Sequence, residues 1–399
     1  MAGQTQETAS QANQYPWKYG LFIGANFVAL AVFQSFIGNF YRDARGIEGT
    51  QLLWLLVALP AVSMLTQPLW GFVGDRMRYR NTALYLMALG SMLSILLMGL
   101  SKSFPMLLLC TCLYASFYTP LMPMGDSVML EALAKKNMSF GPIRLIGSMT
   151  FAVASLLFGF VFEGRFHLVP WVSLVFCLLL LASVRVLPKA PGHQRGRTSV
   201  PFKTLFQLPH MKQLLILLTL LMLSMGYYYS YFTLHFTSLP GGTAGLAGMS
   251  YFLSAVCELP FLLRADKLFK RYGAGRLMLV SALLLVIRFT LLAFTKSVGI
   301  AVLTQMLHGG CFIVITMSTA LYVNSVVPDE LRASGQMLLS IVGYGLARVF
   351  GIVCGGFIAN LTGGSAGGFA AMALVALVAL VWGGSYFLRV PPVNGEHNA

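Results

Sequence analysis

Twelve long apolar runs constrain this chain more than any other feature of its sequence. They fall at about 19–40, 50–72, 81–100, 104–133, 141–162, 167–187, 211–236, 246–264, 276–295, 298–326, 333–360 and 367–388. A hydrocarbon layer about 30 Å thick takes about 20 helical residues to cross, and it holds no water to satisfy an unpaired backbone group. The runs are continuous, without the every-second-residue alternation over about ten residues that marks a membrane β-barrel. An all-α membrane protein with twelve transmembrane helices follows. Only 10% of the residues are charged, against roughly 25% in a soluble domain, and this excludes a water-soluble fold.

The net charge is +15, and where the charge sits decides what it meets. With the N-terminus in the cytoplasm, about 19 of the 27 Lys and Arg fall in inner loops and tails, about 5 outside, and three (Arg144, Arg288 and Arg348) within spans. That is the positive-inside pattern, and anionic inner-leaflet lipids are sufficient partners for it, so no nucleic-acid partner is expected. The expected location is the cell (inner or plasma) membrane, multi-pass, with both termini cytoplasmic. Residues Met1 to Gln14 are polar and lack the basic segment, short apolar core and small-residue cleavage site of a signal peptide. The six cysteines lie in apolar runs without paired CxxC spacing, so reduced thiols are expected and neither a metal site nor a cofactor. A monomer is expected.

The longest polar connection, 188–210, is basic and rich in Pro and Gly. It divides the chain into an N-terminal tail (1–18), a six-helix bundle (19–187), a cytoplasmic linker (188–210), a second bundle (211–388) and a C-terminal tail (389–399). A weak internal repeat agrees with this division. Asp75, in the loop after span 2, and Asp266, after span 8, stand 191 positions apart, and the same shift carries span 4 onto span 10. Parallel halves related about the membrane normal characterise one large transporter class.

The first of these loops reads Gly71-Phe72-Val73-Gly74-Asp75-Arg76-Met77-Arg78-Tyr79-Arg80. It resembles the Gly-x-x-x-Asp-Arg-x-Gly-Arg-Arg/Lys signature of the major facilitator superfamily, with Arg78 where the late Gly belongs. The resemblance implies two pseudo-symmetric six-helix bundles and a cytoplasmic gate formed by Gly71, Gly74, Asp75, Arg76 and Arg80. In that role Gly71 allows close helix approach, and Asp75 latches the outward-open state against a helix N-terminus.

Charges inside spans are costly, about 2.5–3.5 kcal/mol each on insertion scales, so they mark bundle interiors and find partners. Asp126 and Arg144 form one candidate pair; Glu258, Arg288, His308 and Arg348 form a second group. The order of these residues resembles the lactose permease and phenylpropionate permease branch of proton symporters. Arg144-Leu145-Ile146-Gly147-Ser148 looks like that branch's Arg-Leu-Trp-Gly-Ser, and Phe151 falls two helical turns after the arginine, where the branch has a substrate-stacking aromatic. Two positions depart from it: Cys311 stands at the place of a proton-releasing glutamate and Phe261 at that of a sugar-binding amide.

The resemblance and the residue chemistry together give an expected substrate site of Asp126, Arg144, Phe151, Tyr231, Glu258, Arg288, Gln305, His308 and Arg348. Glu258, His308 and Asp126 are the expected proton-coupling groups. Of the run Tyr227-Tyr228-Tyr229-Ser230-Tyr231, one or two hydroxyls should face the cavity, and Asn26, Gln34 and Gln305 offer amides to a polar ligand. Each charged pair also has a plain reading as a structural ion pair, and Arg348 is open between structural pairing and substrate contact. Glu131, near the inner end of span 4, is expected at a gate or a solvated end, and Pro120, Pro123 and Gly125 are expected to break the helix beside Asp126. The expected function is secondary active transport by alternating access, with proton-coupled import of a small organic solute: an aromatic carboxylate, a nucleoside or a sugar. An exporter or uncoupled facilitator of the same fold is the alternative. A membrane enzyme using Ser254 with His308 and Glu258, or a receptor, is remote because no nucleophile elbow or metal spacing accompanies those residues.

Overall fold

The computed structural model describes residues 17–192, 202–328 and 331–392. Most of the expected N-terminal tail, the middle of the linker with Arg195 and Arg197, and the end of the C-terminal tail lie outside the described residues. Eleven helical stretches are long and apolar enough to span a membrane: Tyr19–Ala44 (α1), Gly49–Arg76 (α2), Arg80–Leu100 (α3), Phe104–Ala134 (α4), Gly141–Val161 (α5), Phe166–Val186 (α6), Met211–Ser238 (α7), Ala244–Phe294, Val298–Val326 (α10), Gly335–Leu361 (α11) and Ser365–Phe387 (α12). The eighth is 51 residues long. At 1.5 Å per residue it would measure about 77 Å, more than twice a bilayer's hydrocarbon thickness, so it is two crossings. The chain reverses at Gly273, whose φ of 71° and ψ of 165° suit a residue without Cβ. Residues 244–272 form α8 and 274–294 form α9, which brings the crossings to twelve.

The sequence places a polar loop at 265–275; the helix instead runs through it to residue 272. Lys267, Leu268, Lys270 and Arg271 are good helix formers, so the turn contracts to one glycine. In the first half the matching loop does open, with Met77 and Tyr79 extended between α2 and α3. The α4 helix is interrupted at Thr119–Pro120, where proline lacks the N–H that the helix needs. Two π-helical turns occur, at Phe40–Ala44 ending α1 and at Ser340–Leu346 within α11. The start of the expected linker is tied down: Arg80 N–H donates to Ala190 O at 2.9 Å and Asn81 Nδ2 to Pro188 O at 3.1 Å.

The halves meet where α5 packs on α8, α2 on α11 and α1 on α7. The first crossing depends on small residues: a Cβ on Gly159 would stand 2.6 Å from Ala244 O and 3.1 Å from Gly248 Cα. Hydrogen bonds also join the halves at the face opposite the termini. Gly245 N–H donates to Glu163 Oε2 at 3.1 Å, Asn39 Nδ2 to Thr237 Oγ1 at 2.8 Å, and Arg42 to both Leu234 O and Thr237 Oγ1 at 3.1 Å. Toward the termini face the cavity wall is exposed at Gln67, Pro68, Met337 and Ser340, while Asn26, Phe33 and Tyr114 at its far end are buried. The molecule is therefore closed on one face and open on the face that bears its termini.

Candidate functional site

The central cavity has a volume of about 540 Å³, within the range that holds a small organic molecule. Its wall is built from α1 (Asn26, Gln34), α2 (Ser63, Gln67), α4 (Tyr114, Tyr118, Met122) and α11 (Tyr344, Arg348). A smaller space of about 30 Å³ continues past Phe33, Gln34 and Arg348 to Tyr229 and Thr233.

On the first-half side Asp126 and Arg144 form the expected pair, but loosely. Their closest approach is 3.9 Å, and Arg144's side chain is 43% exposed. Arg144 also donates to the Met122 sulfur at 3.8 Å and lies 4.7 Å over the Phe27 ring. Met122 lines the cavity with Arg144 behind it; of the nine expected substrate-site residues, Arg348 alone is in the cavity wall. Phe151, seven residues on, reaches the other half: its ring meets Tyr251 of α8 edge-on at 6.5 Å.

Of the second-half group, Arg288, His308 and Glu258 form one hydrogen-bonded line with Gln305, and Arg348 stands outside it. Gln305 Oε1 accepts from Arg288 Nη2 at 2.6 Å, from Tyr228 at 2.8 Å and from Ser254 at 3.1 Å. Arg288 Nη1 lies 2.8 Å from His308 Nδ1, and His308 Nε2 lies 3.3 Å from Glu258 Oε1. A guanidinium only donates, so Nδ1 accepts, the ring proton is on Nε2, and Nε2–H points at the carboxylate. The line thus ends on Glu258, whose side chain is 25% exposed while Arg288 and Gln305 are fully buried. Gly309 makes this possible. A Cβ there would lie 2.9 Å from Glu258 Cα, so α10 comes close enough to α8 for adjacent His308 to reach the acid.

Several expected roles change in this geometry. Arg288 and Gln305 are fully buried behind the cavity; both terminal nitrogens of Arg288 are bonded, though its Nε is not, and Gln305 Nε2 is used on Ala301 O and Thr304 Oγ1. They position His308. Because Arg288 donates to its Nδ1, the ring's single proton in this arrangement is the Nε2–H that points at Glu258. Tyr231 faces away: it stacks on Tyr227 at 4.4 Å, four residues earlier on the same helical face, and its hydroxyl abuts Gly356. Tyr229, which was not singled out from the tyrosine run, has its ring between Arg348 at 4.8 Å and His308 at 6.1 Å. Ser254 bonds Gln305 and Ser250 O, which removes the arrangement a hydrolytic serine would need.

At the gate motif, Asp75 and Arg76 are exposed, and Arg76 stacks over Phe72 at 3.9 Å. A Cβ on Gly71 would meet nothing within 4 Å, so this glycine does not serve close packing with the bundle parted at this face; Gly74, facing Met124 and Ala83, does. Arg80 is buried and ion-paired with Glu131, which also takes Lys135 at 3.0 Å, and Arg80 bonds Ser127 at 3.0 Å. Sequence reasoning did not find Phe27, Tyr251 or Gly309. The first two are apolar-span aromatics like many others, but the Gly309-Gly310 pair beside His308 was a readable sign of close approach.

Among curated proteins the chain is 28% identical to a maltose permease of Geobacillus stearothermophilus over 344 residues, covering 85% of this chain and 86% of that one. It is 27% identical to a probable 3-phenylpropionic acid transporter of Escherichia coli (strain K12) over 268 residues, 66% of this chain and 70% of the other. In structure it superposes on the nucleoside transporter NupG with a TM-score of 0.80 at 15% identity, over 94% of this chain and 99% of that chain. A model of the MFS_1-like family matches residues 17–366. By that match the chain belongs to the MFS_1-like family, as a multi-pass membrane transporter of the major facilitator fold and not an enzyme.

Proposed function

We propose that this chain is a proton-coupled importer of a small organic solute, working by alternating access, with both termini in the cytoplasm. The observation that carries the reading is the line Gln305–Arg288–His308–Glu258, which fixes one carboxylate at the end of a buried, oriented hydrogen-bond chain. On this reading Glu258 carries the proton, Asp126 and Arg144 form the opposite edge of the solute site, and Phe151 stacks near the crossing of α5 and α8. If proton or solute must neutralise the site before the empty carrier recloses, the two fluxes are linked through one two-state motion. The positive-inside charge distribution supports cytoplasmic termini, so the structure corresponds to an inward-open state. Asp75, Arg76 and the flanking glycines then act at the inner gate when it shuts. The two bundles, 19–187 and 211–388, are the rocking bodies, and 188–210 joins them.

The relatives carry three solute names: maltose, 3-phenylpropionic acid and xanthosine. A sugar, an aromatic carboxylate and a nucleoside are therefore the classes to test. Cys311, buried where the resembled symporters have a second acid, favours the uncoupled facilitator as the second reading. Proteoliposomes with an inward proton gradient separate the two. Wild type should accumulate its solute, and Glu258→Gln should lose accumulation while keeping solute exchange. Full accumulation by Glu258→Gln would defeat the coupling assignment.

A further inference from the structure

The feature that the proton line does not absorb is the guanidinium of Arg348. It projects from α11 directly after the π-helical turn Ser340–Leu346, a departure from α geometry that recurs at functional sites. It lines the central cavity and the small space beyond it. Its contact is the Tyr229 ring at 4.8 Å; among the described residues no carboxylate pairs with it, and its Nε is buried without a hydrogen-bond partner. Arg144, by contrast, has Asp126, and Arg288 has His308 and Gln305. A half-buried guanidinium facing a cavity without a counter-ion is a site for an anion, and its planar fork matches a carboxylate.

The opposite wall supplies what the rest of such a molecule needs. Tyr114 and Tyr118 stack at 4.8 Å, with Phe33 4.2 Å from Tyr114, and together they form an aromatic surface. Two buried polar groups on that wall have no partner, the Tyr114 hydroxyl and Asn26 Nδ2. Buried polar atoms are rarely left unpaired, so both are available to a polar substituent.

Charge counting leads the same way. The interior holds three arginines (144, 288, 348) and two acids (126, 258), a formal charge of +1 with His308 neutral. A monovalent anion at Arg348 together with one proton on Glu258 leaves the loaded form at +1 as well. The groups facing Glu258 are His308, which donates to it, Arg288 behind that ring, and the hydroxyls of Tyr228 and Tyr229 from α7, the latter also under Arg348. Only when solute charge and proton number match do the empty and loaded carriers cross with the same charge. We propose that Arg348 anchors the carboxylate of the transported solute, so that the substrate is a monovalent organic anion with a planar apolar body, moved electroneutrally with one proton.

This rests on the transporter reading and deepens it. The experiment is uptake into proteoliposomes of a pool of aryl alkanoates, a pool of the matching primary amides, and a pool of neutral sugars and nucleosides, with wild type, Arg348→Gln and Arg348→Lys. Wild type should take up acids at least tenfold faster than their amides, at a rate that follows the pH gradient and ignores a potassium–valinomycin potential. Arg348→Gln should lose at least tenfold on the acids and nothing on the amides, and Arg348→Lys should recover part of the acid uptake. An unchanged acid-to-amide ratio in an Arg348→Gln protein that melts like wild type would overturn the proposal. So would wild-type uptake from the neutral pool alone, which leaves the transporter reading standing. No uptake from any pool by wild type would overturn the reading on which the proposal rests.

Discussion

The two charge clusters in the membrane interior are built on opposite plans. Asp126 and Arg144 touch at 3.9 Å with the arginine 43% exposed, and the arginine's other contacts are a sulfur and a ring face. Arg288 is fully buried, and its two terminal nitrogens are committed to His308 and Gln305 at 2.8 and 2.6 Å. A loose, half-hydrated pair exchanges partners at little cost, as a group that must grip and release a solute has to. A buried network missing one member leaves the others unsatisfied in low dielectric, so it holds a single geometry. On the proposed reading, the difference gives grip to the Asp126–Arg144 pair and orientation of Glu258 to the Arg288 network, with Arg348 standing outside both.

The largest effect should come from breaking the rigid side. Arg288→Leu removes both donors and strands His308 Nδ1 and one of the bonds to Gln305 in the interior. A buried polar group left without its hydrogen-bond partner typically costs about 1–3 kcal/mol. Thermal unfolding in detergent should fall accordingly, and solute binding should fall with it. A melting temperature like that of wild type would mean that the line is not held by Arg288.

The same assay on the loose side should give the reverse. Arg144→Gln should change stability by no more than about 1 kcal/mol, the range of exposed ion pairs, while weakening solute binding about tenfold, equivalent to about 1.4 kcal/mol. If stability drops as far as in Arg288→Leu, the contrast between the clusters is wrong.

His308 sharpens the comparison further. Its work in this structure is to accept from Arg288 and donate to Glu258, and a glutamine amide has one acceptor and two donors for the same two bonds. His308→Gln should therefore retain proton-driven accumulation at a rate reduced several-fold, and His308→Leu should lose it. Accumulation lost equally in both would return the proton to the imidazole.

Much of this was legible in the sequence, for reasons that differ residue by residue. The crossings follow from run length and continuity because a membrane admits few backbone solutions, and charges in spans mark the interior for the same reason. The loop read at 265–275 contains the turn at Gly273 but was read too long, because its charged residues suggest a loop while Lys267, Leu268, Lys270 and Arg271 form helix. Tyr231 was misassigned because four tyrosines in five positions surround the helix, and only packing against Gly356 decides which pair turns away. The burial of Arg288 and Gln305 was illegible in principle. Spacing sets the face of a helix, whereas depth behind that face is set by the neighbours, here Tyr228 and Ser254.

The smallest expected effect lies at the closed face. Glu163 follows the end of α5, and its carboxylate accepts from Gly245 N–H, in the first turn of α8, across the boundary between the halves. Thr243 caps the same helix end from within, accepting from Leu246 N–H at 3.1 Å. An anion at a helix N-terminus is worth about 0.3–1 kcal/mol near the surface. Under the proposed alternating-access reading this contact exists only when the face opposite the termini is shut, so the whole of that energy biases the conformational equilibrium and none of it is shared with the other state. Glu163→Gln keeps an acceptor oxygen but loses the charge. It should raise the ratio of outward-open to inward-open molecules by about two- to fivefold, read as spin-label distances between the outer ends of α5 and α8. An unaltered distance distribution would place the latch in the uncharged contacts instead, with Asn39 on Thr237 and the α5–α8 crossing at Gly159 and Gly248 holding the face closed by packing alone.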